Sequence, residues 1–262
     1  ASAYYFAGMS LFDAIAHSFS TIAIGGFSTH SQSIAYFNSM TIEVVCMVFM
    51  FLSALNFILH FHSLKSRSLK VYFKDIEFRL YLFLIMTSSF LLIVYSSLMH
   101  SDQISISSIL FQVVSFITTS GFISTSYENW PVSIISVLIF LSFLGACAGS
   151  TGGGIKIIRV LFIIKELKRG LIKIIHPTAE VPIKINDQVI NDSVSNNILL
   201  FFIFYLISYV FLSLSLLLTG LDATTAFSSI AACLNNLGPG AGSVIDNYSS
   251  INSISKYILS FT

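Results

Sequence analysis

The sequence predicts an all-α polytopic membrane protein, built from repeated units of helix, pore half-helix, filter loop and helix arranged around a central pore. Three observations predict it: an apolar composition, long apolar runs, and one glycine motif met three times in the same register. Hydrophobic residues fill 55% of 262 positions, charged residues only 10%, and the mean hydropathy is +0.86. A soluble domain carries charge on about a quarter of its residues. Lipid must therefore solvate much of this surface.

The long runs come first in the argument. Residues 40–62 and 80–99 are each long enough for one helix across the apolar core of a bilayer. Residues 131–144 are apolar, a Gly/Ser/Thr stretch interrupts them, and 155–164 resume. Residues 194–219 form another span, and a last one begins near Ile254. The chain starts without Met or a basic leader and stops inside an apolar run, so it is expected to be a fragment cut at both ends.

Between the spans lie 10–22, 106–118 and 222–234, moderately apolar and too short to cross, as suits re-entrant half-helices. Each leads at once into glycine-bearing sequence. Non-helical backbone at membrane depth is tolerated only where protein buries it or where it lines a watery path. The three segments align without gaps on Gly26, Gly121 and Gly238, spaced by 95 and 117 residues. The modules divide as 1–64, 65–176 and 177–262, the first without its leading span and the last with its closing span truncated. Residues 177–192 alternate polar and apolar and carry two prolines, which reads as a short hairpin or surface connector.

Charge gives the topology. Five of the 13 Lys and Arg lie between Lys65 and Arg79, and six between Lys156 and Lys173. Segments 23–39, 100–105, 120–135 and 238–255 have none. By the positive-inside rule the basic clusters face the cytoplasm and the Lys/Arg-free segments face out. Glu43, Asp102, Glu128, Asp222 and Asp246 then fall near outer ends, where Asp222 and Asp246 are placed to raise cation density at the mouth. Cys46, Cys147 and Cys233 lack metal-ligand spacing and read as packing residues.

The chemistry follows from the half-helices. One that enters from outside aims its partly negative carbonyl end at the membrane centre, where a cation is favoured. The returning loop must turn carbonyls to a common axis, replacing the water a K⁺ ion sheds. Glycine reaches the required dihedrals without steric cost and lets backbones approach. Thr21, Thr118, Thr119 and Asn235 flank the glycines with further oxygens. Packing glycines would instead recur at i, i+4 within a long span, and these end short segments. Gly145, Gly149, Gly152, Gly153 and Gly154 with Ser150 and Thr151 cannot form a regular lipid-facing helix. The same stretch fails as a phosphate loop, because Lys156 comes one residue late and Ile157 stands where Ser or Thr is needed. An intramembrane enzyme is excluded for want of a paired nucleophile and base, so no catalytic residue and no organic cofactor are expected.

Ile24-Gly-Gly-Phe-Ser-Thr-His30, Thr118-Thr-Ser-Gly-Phe-Ile-Ser124 and Asn235-Asn-Leu-Gly-Pro-Gly-Ala-Gly242 resemble the second, third and fourth filter loops of the Trk/Ktr/HKT superfamily. Ala148-Gly-Ser-Thr-Gly-Gly-Gly-Ile-Lys156 resembles its intramembrane gating loop, and Asn-Asn-Leu-Gly-Pro-Gly is similar to the TrkH/TrkG branch. The resemblance covers nearly the whole chain. It implies potassium uptake through a filter whose backbone carbonyls come here from Ile24, Gly25, Gly26, Phe27, Thr119, Ser120, Gly121, Phe122, Asn236, Leu237, Gly238 and Pro239. It implies a gate at Gly149, Ser150, Thr151, Gly152, Gly153, Gly154 and Lys156. It further implies four repeats, the first lying upstream of Ala1, and a homodimer in membrane lipid. A cytosolic nucleotide-binding regulatory subunit of the TrkA kind, a bacterial inner-membrane location and no nucleic-acid partner complete the expectation. A carrier coupling another cation or a solute to H⁺ or Na⁺ is the alternative, since carriers also use broken helices. Repeats all entering from outside in one orientation favour the pore.

Overall fold

A computed structural model describes residues 1–99, 104–186, 188–245 and 247–262; Asp102 and Asp246 of the expected outer acidic set lie outside them. The short α1 (Ser2–Phe6) leads into α2 (Leu11–Ile22), then α3 (Met40–Ser53) and α4 (Phe57–Ser66). A single turn of surface helix, α5 (Lys70–Lys74), precedes the long α6 (Ile76–Leu98). Then come α7 (Ile106–Ile117), α8 (Val132–Leu144) and α9 (Ile157–Ile175). A two-stranded hairpin, β1 (Lys184–Ile185) with β2 (Gln188–Val189), separates them from α10 (Asp192–Leu217), α11 (Ala223–Leu234) and α12 (Ser253–Ser260). The strands are antiparallel, with Lys184 opposite Val189 and Ile185 opposite Gln188.

Two of the described helices, α6 with 23 residues and α10 with 26, are each long and apolar enough to cross a membrane. At about 1.5 Å per residue the shorter one covers some 34 Å. From Leu200 to Leu214 the exposed residues of α10 are all apolar, among them Leu200, Phe204, Ile207 and Phe211. Such a face is stable against lipid and not against water.

The expected single span at 40–62 is corrected by the structure: α3 and α4 meet at 93°. The ladder breaks at 54–56 because its backbone groups are used elsewhere. The Ala54 carbonyl accepts from Cys147 N–H at 3.0 Å, and Phe57 N–H donates to the Gly149 carbonyl at 3.1 Å. Asn56 then caps the new helix, its Oδ1 accepting from Ile58 N–H at 2.9 Å. Hydropathy sees apolar residues through the bend and cannot see the partner strand that causes it.

The three short helices α2, α7 and α11 have 12 residues each and begin alike. Ser10, Ser105 and Asp222 accept at their side chains from the N–H groups of Asp13, Ser108 and Thr225, at 3.1, 3.0 and 3.0 Å. Each cap satisfies one of the orphan donors of the first turn. The middle one, α7, is the hub: Ile109, Phe111, Val113, Phe116 and Ile117 are at most 1% exposed, and α3, α6 and α8 pack around it. A half-helix so enclosed needs no lipid-facing stripe.

Candidate functional site: three glycine loops over a broken helix

The C-terminal ends of the short helices share one backbone program. Ala23, Thr118 and Asn235 close the last α-turn. Gly25, Ser120 and Leu237 N–H groups then reach back to the carbonyls of Ser20, Ser115 and Ala232, each at 2.8 Å. Ile24, Thr119 and Asn236 take left-handed φ values of 54°, 63° and 57°. Two residues on, Gly26, Gly121 and Gly238 do so again at 66°, 77° and 94°. A regular strand alternates its carbonyls between two faces, and reversing the sign of φ at alternate residues brings them round toward one. Non-glycine residues held left-handed cost about 1–2 kcal/mol each and persist only where the surroundings enforce them.

The three loops converge. Gly26, Gly121 and Gly238 line a single cavity of about 240 Å³ together with Phe27, His30, Pro239 and Tyr248. The approach is backbone to backbone and runs in order. A Cβ on Gly26 would fall on the Ser120 carbonyl oxygen, and a Cβ on Gly121 would fall on that of Leu237. Each glycine thus abuts the residue just before the glycine of the next repeat. Around Gly238 a Cβ would meet no described atom within 4 Å, so the ring is open on that side.

Beneath the loops lies the break between α8 and α9. It touches all three repeats. Thr151 Oγ1 donates to the Ile22 carbonyl at 2.8 Å, and Gly153 N–H donates to Thr119 Oγ1 at 2.6 Å. A Cβ on Gly152 would stand 2.8 Å from the Thr118 carbonyl oxygen, and one on Gly153 would fall on that of Asn235. Only a run of glycines lets the chain lie this close under the half-helix ends. Gly149 packs on Asn56, Gly154 on the Ser142 carbonyl, Ser150 donates to the Cys147 carbonyl at 2.6 Å, and Lys156 Nζ donates to the Gly152 carbonyl.

Side chains expected to add oxygens mostly face away from the loops and brace them. Thr21 is fully buried, donating to the His17 carbonyl at 2.6 Å and pairing with the Tyr4 hydroxyl at 2.7 Å. Thr118 donates within its own helix to Ser115. Asn235 donates to Ser142 Oγ at 2.9 Å and accepts from the Tyr205 hydroxyl. Two backbone oxygens of the expected set are engaged as well: Phe122 accepts from Ser115 Oγ at 2.7 Å, and Gly238 from the Tyr248 hydroxyl at 2.6 Å. Phe27 is exposed while Phe122 is buried.

Sequence reasoning missed three supports. Tyr127 donates to the Gly240 carbonyl at 2.9 Å, and Ser228 Oγ both accepts from Ala241 N–H and donates to its carbonyl. Asp13 accepts from Thr29 at 2.6 Å and lies 3.4 Å from His30 Nε2, which puts an acidic group beside the cavity mouth. Its signal was available, since it stands three residues after a Ser cap at the start of a short helix. Asp222 sits at the opening of α11, where hydrogen bonds from the Thr225 hydroxyl and N–H hold its carboxyl below the ordinary carboxylate range. Among the described residues no group of three or more His, Cys, Asp or Glu is placed to hold a metal ion.

Fold and site together define a polytopic helical membrane protein made of pore-loop modules around a shared axis, with a broken helix under the loops. The family model described as "TrkH: Cation transport protein" matches residues 1–262, and the chain belongs to that family. It is 43% identical over 262 residues to the Trk system potassium uptake protein TrkH of Escherichia coli (strain K12), covering 99% of this chain and 54% of that protein. It is 36% identical over 266 residues to the TrkG protein of the same organism, covering 98% and 53%. The crystal structure of the potassium transporter TrkH from Vibrio parahaemolyticus superposes with a TM-score of 0.91 at 42% identity, covering 98% of this chain and 56% of that one. The chain spans about half the length of the curated relatives it matches.

Proposed function

We propose that this chain supplies three of the four filter strands of a potassium uptake pore, gated by the glycine-rich loop under them. The observation that carries the reading is the ordered abutment of Gly26 on Ser120 and of Gly121 on Leu237, in loops with the same alternation of φ. Three equivalent strands bordering one cavity, each at the carbonyl end of a half-helix, form a low-field oxygen site suited to a dehydrated alkali cation. Ile24, Gly25, Gly26 and Phe27, Thr119, Ser120, Gly121 and Phe122, and Asn236, Leu237, Gly238 and Pro239 are the strands. Gly149 to Gly154 with Lys156 are the gate. A further glycine loop, encoded outside residues 1–262, fills the open side at Gly238.

The chain's relatives are named as potassium uptake proteins, which supports K⁺ as the cargo. The remaining parts of the reading are a homodimer, a bacterial inner-membrane location with the basic loops cytoplasmic, and a nucleotide-binding regulatory subunit at that face. A carrier coupled to H⁺ or Na⁺ is the competing reading. Half-helices that all deliver their C-terminal ends to one cavity support the pore. The test is ion flux through the full-length protein in liposomes, comparing K⁺ with Na⁺. Equal permeation of the two ions overturns the proposal.

A further inference from the structure

One buried acidic side chain has no part in the filter. Glu77, in the first turn of α6, is 4% exposed, far from any lipid-headgroup role. A carboxylate placed there must be compensated by hydrogen bonds or partner charge. It is compensated by the broken helix. Glu77 Oε1 accepts from Ala148 N–H at 2.7 Å and from Ile158 N–H at 3.1 Å. These donors flank the glycine loop, one on its entry and one in the first turn of α9. A single oxygen therefore pins both shoulders of the 149–156 loop.

The α3–α4 bend grips the same entry shoulder from another side. Cys147 N–H donates to the Ala54 carbonyl, and Phe57 N–H takes the Gly149 carbonyl. Glu77 and the bend are joined through the basic surface segment α4–α5, which carries Lys65, Arg67, Lys70 and Lys74. The hairpin tip also reaches this corner: Asn186 Oδ1 accepts from Ile76 N–H at 3.1 Å, and its Nδ2 donates to Asp75 at 2.7 Å. The surface segment and the hairpin thus end within three residues of Glu77, while the bend holds the same loop shoulder at Cys147 and Gly149.

We propose that Glu77, with the α3–α4 bend, is the latch that holds the glycine-rich loop against the inner end of the filter, making it a positioning residue for gating. The inference rests on the permeation reading above. Hydrogen bonds from two backbone N–H groups to one buried acceptor favour the loop's seated state over any state in which the shoulders separate. Displacing the α4–α5 segment or the hairpin moves the acceptor, and the loop loses both anchors together. Among the described residues no hydrogen bond joins the filter backbone to Glu77 or to the bend, so ion preference is expected to be set apart from the latch.

The experiment uses the full-length protein in liposomes, with K⁺ flux normalised to folded transporter, for Glu77→Ala and the isosteric Glu77→Gln. Loss of the two hydrogen bonds is expected to raise basal K⁺ flux by roughly tenfold in Glu77→Ala. Glu77→Gln, which keeps an acceptor without the charge, should rise less, and the K⁺/Na⁺ ratio should stay unchanged in both. A purely structural role would lower thermal stability without raising flux per folded molecule, and that result overturns the latch. Cys147, 1% exposed inside the entry shoulder, gives a second readout. Its labelling by a maleimide, located by peptide mass, should accelerate in the variants, and an unchanged rate also overturns the latch. Wild-type protein that conducts no K⁺ would sink the permeation reading instead, whereas selective wild-type flux with unaltered variants sinks only the latch.

Discussion

Replacing Gly121 by alanine tests the ring most directly. Its φ of +77° is left-handed, which costs an L-residue about 1–2 kcal/mol. The added Cβ also falls on the Leu237 carbonyl oxygen and comes within 2.8 Å of Pro239 Cδ. Both neighbours belong to the next glycine loop, and neither is the loose end of a flexible side chain. The strand from 236 to 239 must therefore move outward, on the order of an ångström, to restore ordinary contact. If these carbonyls form the proposed filter, moving them by that much spoils the match to K⁺, and discrimination against Na⁺ should fall by at least about tenfold, or roughly 1.4 kcal/mol. The assay is the reversal potential of the full-length protein in bilayers with K⁺ on one side and Na⁺ on the other. Gly170→Ala serves as the control, because a Cβ there meets nothing within 4 Å. It should leave selectivity intact and gain up to about 1 kcal/mol of helix stability. A folded Gly121→Ala protein with wild-type selectivity refutes the idea that these backbones form the filter.

Other outcomes follow from single contacts. Thr119→Val removes the acceptor of Gly153 N–H and should destabilise the folded protein by about 1–3 kcal/mol, read as a lowered Tm. Thr118→Val, which breaks only a bond within its own helix, should cost less. Tyr205→Phe takes the donor from Asn235 Oδ1 and is expected to cost about 1 kcal/mol, with a smaller effect when Asn235 is already replaced by Leu, as a double-mutant cycle would measure. The Asp222 cap gives a pH dependence. Its folded-state pKa is depressed, so its contribution is complete above the ordinary carboxylate value of about 3.9 and is lost as pH falls through the lower folded value. Acid titration of Tm should show a loss below that point, and Asp222→Asn, which still caps without titrating, should show a shallower one.

Much of this was legible in the sequence. Composition fixes the solvent, because so few charges cannot cover 262 residues in water. Periodic recurrence of a short apolar segment ending in glycine identifies the modules, since local sequence alone sets a capped 12-residue helix and a left-handed turn after it. The glycine run at 149–154 likewise announces a helix that cannot continue.

What the chain could not disclose is which backbone group meets which. The bend at 54–56 looks like an uninterrupted apolar span, and it exists because residues 147–149, almost a hundred positions later, take its hydrogen bonds. Glu77 stands among the Lys and Arg of 65–79 with nothing in the linear sequence to mark it, and only packing brings Ala148 and Ile158 to it. Thr21 and Asn235 read as oxygen donors to the loops, yet packing engages them with Tyr4 and Tyr205. Local dihedral preference and hydropathy are properties of neighbouring residues and survive in a linear reading. Pairing of polar groups at membrane depth is decided by whatever the fold brings within hydrogen-bond reach, because no water is there to satisfy them otherwise.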